Sequence, residues 1–185
     1  MPIHVALLRG INVGTAKRVA MADLRDLLEK LGYEEVRTLL NSGNVVFTAT
    51  AAGAKTAGTR IEQALVKRLR VTSRVIVFSA SELSAVVASN SLATVATNPS
   101  RLMVAFLATP GDRARLEPIA SKRWGAEKIA LGPRVAYFWC PEGIIRSEVA
   151  AAVGKALGDA VTVRNWATVL KLHAVAAPQG KEKAR

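Results

Sequence analysis

The order of the apolar segments in residues 1–80 constrains the fold of this chain more than any other feature of its sequence. The run Ile3 to Leu8 ends at a glycine-rich loop, as a short buried strand does. An amphipathic helix is predicted next, because leucines recur at helical spacing up to the stop signal Gly32. Two further apolar runs, Val36 to Leu40 and Val45 to Thr48, flank Asn41-Ser42-Gly43-Asn44, whose residue types favour a hairpin turn.

The following segments complete a β-α-β-β-α-β order. Ala49 to Gly58 is expected to be a loop of small residues, after which Thr59 and Glu62 have the spacing of a capping box at the start of a helix. The run Val75 to Phe78 then supplies a fourth strand. This order is typical of a ferredoxin-like unit.

A second unit of the same kind is predicted further along the chain. Ser79 and Glu82 form another capping box and begin a helix that closes the first subdomain at residue 88. Residues 89–101 are predicted to be a linker, residues 102–177 a second subdomain, and residues 178–185 a basic, disordered tail. In the second subdomain, Ile144 and Ile145 are expected to begin the buried face of a helix that stops at Gly158. The predicted fold is α+β, with two ferredoxin-like subdomains in tandem and a C-terminal helix.

The net charge of the chain indicates which kinds of partner suit it. Its 185 residues carry 26 Lys and Arg against 14 Asp and Glu, a formal net charge of +12 that is spread along the sequence. Such a charge suits a nucleic acid or a phosphorylated small ligand, although a basic protein with simply solvated side chains has the same composition. The single cysteine, Cys140, is expected to pack as a small hydrophobe, and no spacing typical of a metal or cofactor motif is present. No signal peptide or run of about 18 apolar residues is seen, so no membrane partner is expected and a cytoplasmic location is predicted.

Three polar segments are predicted to form one binding site. In a sheet with strand order 4-1-3-2, the loop Arg9 to Gly14 lies beside the turn Asn41 to Asn44, because both follow neighbouring strands at one rim. Small residues leave main-chain N–H groups open there, and the start of the first helix adds a positive end, so an anion would be stabilised. A third segment, Arg164 to Lys171, carries polar residues along one stripe of the last helix. The predicted ligand-binding residues are Arg9, Gly10, Asn12, Gly14, Lys17, Ser42, Gly43, Asn44, Arg164, Asn165, Thr168 and Lys171.

Two alternatives apply to these segments. Glycine and asparagine are also the ordinary residues of turns, so each segment taken alone can be structural. Trp166 is either a stacking platform for a ligand or, as its large apolar area favours, a core anchor of the last helix.

The same segments resemble a known bacterial family. Leu7-Leu8-Arg9-Gly10-Ile11-Asn12-Val13-Gly14, then Asn41-Ser42-Gly43-Asn44-Val45-Val46-Phe47, then Arg164-Asn165-Trp166 with Thr168 and Lys171 are similar to the motifs of the family known as domain of unknown function 1697. The resemblance extends from about Ile3 to Ala176. It implies an α+β protein of two similar ferredoxin-like subdomains, and it implies no established activity or catalytic residue. The chain departs from the family pattern at Thr15, Ala20, Asn41 and Ala167, which changes the expected detail of the site and not the fold.

Catalytic chemistry is not indicated by the residue types near these segments. Ser42 would need a base within hydrogen-bond reach to act as a nucleophile, and the only histidines are His4 and His173. No pair of carboxylates or metal-ligand spacing stands out. The sequence therefore favours binding of an anionic small molecule, nucleotide-like or phosphorylated. Nucleic-acid binding is the alternative, although aromatic residues make up only 5% of the chain and the stacking motif of RNA-recognition domains is missing. A transferase that uses the same cleft is a third and weaker hypothesis.

Overall fold

A computed structural model describes residues 1–14 and 17–177 of the chain. It confirms the α+β class, with two four-stranded antiparallel sheets and helices between them. The first subdomain consists of β1 (Ile3–Leu8), α1 (Met21–Lys30), β2 (Glu34–Leu39), β3 (Asn44–Thr48), α2 (Ala51–Ala64), β4 (Val75–Ser79) and α3 (Ala80–Ala88). The second consists of β5 (Leu102–Leu107), α4 (Glu117–Ala120), β6 (Lys128–Leu131), β7 (Val135–Trp139), α5 (Glu148–Leu157), β8 (Val161–Asn165) and α6 (Trp166–Ala176). The predicted tail, residues 178–185, lies outside the described residues.

The two sheets have the same topology and the same register. The strand orders are β2-β3-β1-β4 and β6-β7-β5-β8, so the first strand of each subdomain lies inside its sheet and the last strand lies at an edge. In both sheets the second residue of the first strand pairs with the last residue of the last strand, His4 with Ser79 and Met103 with Asn165. Positions in one subdomain therefore have defined counterparts in the other.

The core lies in three layers that follow from the alternation of side chains along the strands. Ala6 and Leu8 of β1 face the outer helices α1 and α2. Val5 and Leu7 face the other way, into a central layer shared by both sheets and by α3 and α6. In that layer the rings of Phe78 and Phe106 meet edge to face with centroids 5.1 Å apart. A third layer, which contains Cys140, lies on the outer face of the second sheet.

Helix α6 connects the two subdomains. It follows β8 of the second sheet but also contacts β1 and β3 of the first. Trp166 at its start is only 8% exposed and packs in the central layer, so it is a core anchor. This placement brings the end of β8 and the start of α6 to the rim where β1 ends. No helix in the described ranges is long and apolar enough to cross a bilayer.

The predicted start of the second helix is wrong. Helix α2 begins at Ala51, and the hydroxyl of Thr50 accepts a hydrogen bond from the main-chain N–H of Gly53 as its N-cap. Thr59 and Glu62 lie inside the helix, and the Glu62 carboxylate instead accepts a hydrogen bond of 2.8 Å from the N–H of Val75. An alanine-rich segment with a good N-cap begins a helix even where it contains glycine.

The predicted start of the helix before Gly158 is also wrong. Helix α5 begins at Glu148, with Ser147 as an N-cap whose hydroxyl accepts a hydrogen bond from Ala150 N–H. Ile144 and Ile145 precede it in a short 3₁₀ turn, and Ile145 is 98% exposed. The capping interaction at Ser147 determines the start of the helix, whereas the apolar spacing does not.

Candidate functional site

The three polar segments converge at one rim of the molecule. The main-chain N–H of Leu8 donates to the carbonyl of Gly43 at 2.8 Å, and the side chain of Asn12 donates to the carbonyl of Asn41 at 2.7 Å. The end of β8 and the start of α6 complete a cleft of about 340 Å³, which we call the rim cleft. The rim cleft is lined by Arg9, Gly10, Ile11, Val13, Ser42, Thr162, Val163, Arg164, Asn165 and Thr168.

Asn12 fixes the loop that forms one wall of this cleft. Its amide nitrogen also donates to the carbonyl of Val19 at 2.9 Å, and its amide oxygen accepts from the N–H of Val19 at 2.8 Å. Its φ is +55°, in the left-handed region that asparagine tolerates better than most residues. The side chain of Asn12 is therefore used to hold the loop.

Gly43 lets the turn between β2 and β3 approach β1 closely. Its φ is +75°, and a Cβ atom at this position would lie 2.7 Å from Cδ1 of Ile11 and 2.8 Å from Cβ of Leu8. Gly10 and Gly14, with φ of +64° and +63°, face open space instead. Of the predicted glycines, Gly43 alone is required by both its conformation and its neighbours.

Arg164 joins the second subdomain to the first. Its Nη2 donates to the carbonyl of Leu8 at 2.7 Å and to the carbonyl of Ser42 at 2.9 Å. Its Nε donates to the side-chain oxygen of Asn44 at 2.6 Å. Within its own strand, its Nη1 donates to the hydroxyl of Thr162 at 2.9 Å.

The guanidinium of Arg164 is buried without a carboxylate partner among the described residues. The residue is 8% exposed, and this burial lowers its pKa to about 10. The side chain therefore stays charged at neutral pH, and the acceptors of its hydrogen bonds are neutral oxygen atoms. Its positive field reaches the rim cleft, although its donors are already engaged.

Asn44 is engaged in the same network and is fully buried. Its amide nitrogen donates to the carbonyl of Leu39 and to the hydroxyl of Ser42, both at 2.9 Å. The side chains of Asn44 and Arg164 thus bind each other and the main chain, so they shape the cleft wall and offer no spare donor to it.

Arg9 is the most accessible cation of the rim cleft. Its side chain is 38% exposed, and its Nε lies 3.3 Å from the carboxylate of Asp159. Its Nη1 donates to the carbonyl of Val161 at 3.1 Å. Sequence reasoning missed Asp159, because no local pattern connects it to a residue 150 positions earlier.

A second depression, which we call the flank groove, adjoins the rim cleft at Arg9. It has a volume of about 1010 Å³ and shares Arg9 and Gly10 with the rim cleft. Its charged lining residues are Arg9, Lys17, Lys67 and Arg74 with Glu62 and Asp159. The predicted site residue Lys17 thus lies in the flank groove, while Lys67 and Arg74 were not predicted.

The helix start that lines the rim cleft belongs to α6, whereas the sequence suggested α1. Asn165 caps α6, with its side-chain oxygen accepting from the N–H of Thr168 at 2.9 Å. Both residues line the cleft. Lys171, one turn further along, is exposed and lies outside the set of residues that line it.

The pseudo-equivalent position in the other half of the molecule holds a second cleft, which we call the counterpart cleft, and its lining includes Ser79, Glu82, Ala108, Thr109 and Arg134. Ser79 caps α3 as Asn165 caps α6, and Glu82 stands three residues later, where α6 has Thr168. The Glu82 carboxylate accepts from the N–H of Ser79 at 2.7 Å and pairs with Arg134 at 3.1 Å. Arg134 in turn donates to the carbonyl of Leu107, the counterpart of Leu8. In the counterpart cleft the helix start thus faces a carboxylate, and the charge of Arg134 is offset by Glu82.

In the described part of the chain, the Ser42 hydroxyl accepts from Asn44 and has no hydrogen bond to either histidine. Burial lowers the pKa of His4, which lies in β1 and lines the counterpart cleft rather than the rim cleft. His173 contacts Ser84 instead, with Nε2 at 3.1 Å from the hydroxyl oxygen. In residues 1–14 and 17–177, no three His, Cys, Asp or Glu side chains are grouped so that they could hold a metal ion.

Comparison with known proteins identifies the family of the chain. Among solved structures, conserved bacterial protein SP0830 from Streptococcus pneumoniae aligns with a TM-score of 0.73 and 21% identity, covering 95% of this chain and 98% of that one. At this identity the likeness shows a shared fold. The structure of TA0507, a candidate chlorite dismutase, covers 95% of this chain and 100% of its own but reaches a TM-score of only 0.23 at 13% identity, so it carries no argument.

Curated proteins give no match to the chain. A family model described as "Protein of unknown function (DUF1697)" matches residues 1–137. That range includes the first two motifs of the rim and ends before the Arg164 segment. The match covers well over half of the sequence, and the chain therefore belongs to the DUF1697 family of proteins of unknown function.

Proposed function

We propose that this protein is a cytoplasmic binding protein for a small anionic ligand, and that a phosphate or carboxylate group of the ligand enters the rim cleft. The observation that carries the proposal is the difference in charge between the two pseudo-equivalent clefts. The rim cleft is lined by two guanidiniums, and its described lining includes no Asp or Glu. Asp159, which pairs with Arg9, lines the flank groove instead. In the counterpart cleft, Glu82 occupies the position of Thr168 and pairs with Arg134.

The positive charge of the rim cleft has three sources. Arg164 contributes a buried charge, which acts at short range through a medium of low dielectric constant. Arg9 contributes a half-exposed guanidinium that can donate directly to an anion. The amino end of the eleven-residue helix α6 adds its partial positive charge next to Asn165.

The remaining predicted residues support this site in different ways. Gly10, Ser42, Asn165 and Thr168 line the cleft and are proposed to contact the ligand. Asn12, Gly43 and Asn44 are proposed to hold its walls, in agreement with the hydrogen bonds and the close approach described above.

Nucleic-acid binding receives less support from the geometry. The flank groove and the rim cleft are both basic, but no aromatic side chain is among their described lining residues. Single-stranded nucleic acids are bound in large part by stacking of bases on aromatic rings. If nucleic acid were the ligand, its affinity would fall steeply as salt concentration rises.

A pair of substitutions at Thr168 tests the proposal. Thr168→Glu gives α6 the capping box that α3 already has, so it should preserve folding while placing a carboxylate in the rim cleft. Thr168→Gln introduces a side chain of the same size without the charge. Isothermal titration calorimetry with inorganic phosphate and pyrophosphate should show saturable binding to the wild type, loss of binding in Thr168→Glu, and much smaller weakening in Thr168→Gln.

Two other outcomes would count against the proposal. Equal weakening by both substitutions would mean that size, not charge, excludes the probe. Absence of saturable binding to the folded wild type at low ionic strength would overturn the proposed function.

A further inference from the structure

The flank groove and the rim cleft meet at Arg9, which lines both of them together with Gly10. An anion bound to Arg9 in the rim cleft would therefore lie at the opening of a groove three times as large. The groove contains Lys17 and Lys67, and neither pairs with a carboxylate in the described part of the chain. Unpaired ammonium groups beside an occupied anion site favour a second negative charge.

The two acidic residues of the flank groove are held very differently. Glu62 is fixed in the fold, because one carboxylate oxygen accepts from the N–H of Val75 at 2.8 Å and the other pairs with Arg74 at 3.5 Å. The Asp159 side chain is 90% exposed, and its one polar contact with the described residues is the 3.3 Å pair with Arg9. An exposed pair of this kind is weak and exchanges readily with another anion.

The Asp159 carboxylate is therefore a displaceable partner of Arg9, at the place where the basic flank groove begins. We propose that the ligand extends past Arg9 into the flank groove and carries a second anionic group there, and that this group takes the place of the Asp159 carboxylate. The inference rests on the proposed function and specifies its ligand class as a compound with at least two anionic groups, such as a diphosphate or a phosphorylated carboxylic acid. Arg9 would then bridge the two groups, and Asp159 would act as an internal competitor for the second one. It would therefore lower the affinity for extended anions more than the affinity for anions with a single charged group.

The test compares Asp159→Asn with Glu142→Gln, because both remove one exposed negative charge and Glu142 lines a different depression. Calorimetric titrations with phosphate and pyrophosphate are made for the wild type and both variants. Pyrophosphate should bind the wild type more tightly than phosphate does. Asp159→Asn should raise the pyrophosphate affinity about two- to fivefold, the effect of removing one exposed ion pair, and should raise the ratio of pyrophosphate to phosphate affinity. Glu142→Gln should leave that ratio unchanged.

A second variant tests the groove from the ligand side. Lys67→Ala should weaken pyrophosphate binding and leave phosphate binding unchanged, because Lys67 lines the flank groove alone. The inference is overturned if pyrophosphate and phosphate bind equally well, or if Asp159→Asn leaves their ratio unchanged or lowers it. If phosphate still binds and responds to Thr168→Glu in that case, the proposed function stands while the second anionic group is rejected. If neither probe binds the folded wild type, both conclusions fail together.

Discussion

The guanidinium of Arg164 lies 2.6 Å from the side-chain oxygen of Asn44, a residue 120 positions earlier in the chain. This hydrogen bond, with those to Leu8 and Ser42, joins the edge strand of the second sheet to the first sheet at their common rim. A charge removed from water without a carboxylate partner is costly unless its donors are satisfied, and here neutral oxygens satisfy them. The wall of the rim cleft is thus also the joint between the subdomains.

Arg164→Lys should destabilise the protein by about 1–3 kcal/mol, because an ammonium group cannot reproduce the planar fork that reaches Asn44, Leu8 and Ser42 at once. Urea denaturation followed by circular dichroism measures the loss. Arg113→Lys is the matched control, since the pair that Arg113 forms with Glu117 is exposed and its replacement should change stability little. Equal stability of the two variants would mean that the Arg164 network is not a structural joint.

Gly43→Ala should be destabilising, whereas Gly154→Ala should be stabilising. Alanine at position 43 meets Ile11 and Leu8 at under 3.0 Å and is strained at φ +75°, for a combined cost of about 2–4 kcal/mol. Gly154 lies in α5 with no atom within 4 Å of an added Cβ, so the helix should gain about 0.5–1 kcal/mol. Thermal unfolding of the two variants should shift in opposite directions, and a shift in the same direction would contradict the packing described for the turn.

The stability of the protein should fall as pH drops below about 6.5, in part because of His4. Burial lowers the pKa of this imidazole, more than the opposing effects of Glu82 and of the Ala49 backbone raise it. The unfolded chain takes up a proton near pH 6.5, while the folded chain does so only at lower pH, so protons favour unfolding in between. The His4→Phe variant lacks this titration, and its denaturation midpoint should depend less on pH between 7 and 5. Parallel pH profiles for the variant and the wild type would show that His4 does not contribute.

Asn12→Ala should loosen the loop of the rim cleft. It removes three hydrogen bonds, to Val19 and Asn41, and places alanine at a φ of +55°, for a loss of about 1–3 kcal/mol. Asn12→Gly removes the same bonds without the conformational strain, so its midpoint in urea should lie between those of Asn12→Ala and the wild type. An Asn12→Gly variant less stable than Asn12→Ala would show that loop entropy outweighs the strain at this position.

The order of the strands and the meeting of two site segments were predictable from the sequence. Apolar spacing located β1 and α1, and the Ser79 and Glu82 capping box located α3. The ferredoxin-like strand order predicted that the loop Arg9 to Gly14 lies beside the turn Asn41 to Asn44, as the hydrogen bond from Asn12 to Asn41 shows. The predicted helix starts were wrong where two local signals competed. Thr50 starts α2 ahead of the capping box at Thr59, and Ser147 starts α5 after the apolar pair at Ile144.

The sequence by itself determined the order of the strands and most of the helices, because side-chain periodicity and capping act over a few residues. Only the tertiary structure decided which polar groups remain available at the rim. The donors of Arg164 are engaged by acceptors in the other subdomain, and Arg9 pairs with the distant carboxylate of Asp159. Helix α6 supplies the helix start beside them. These partners are separated by more than a hundred residues, so their contacts depend on how the two sheets pack and on no local pattern of the chain.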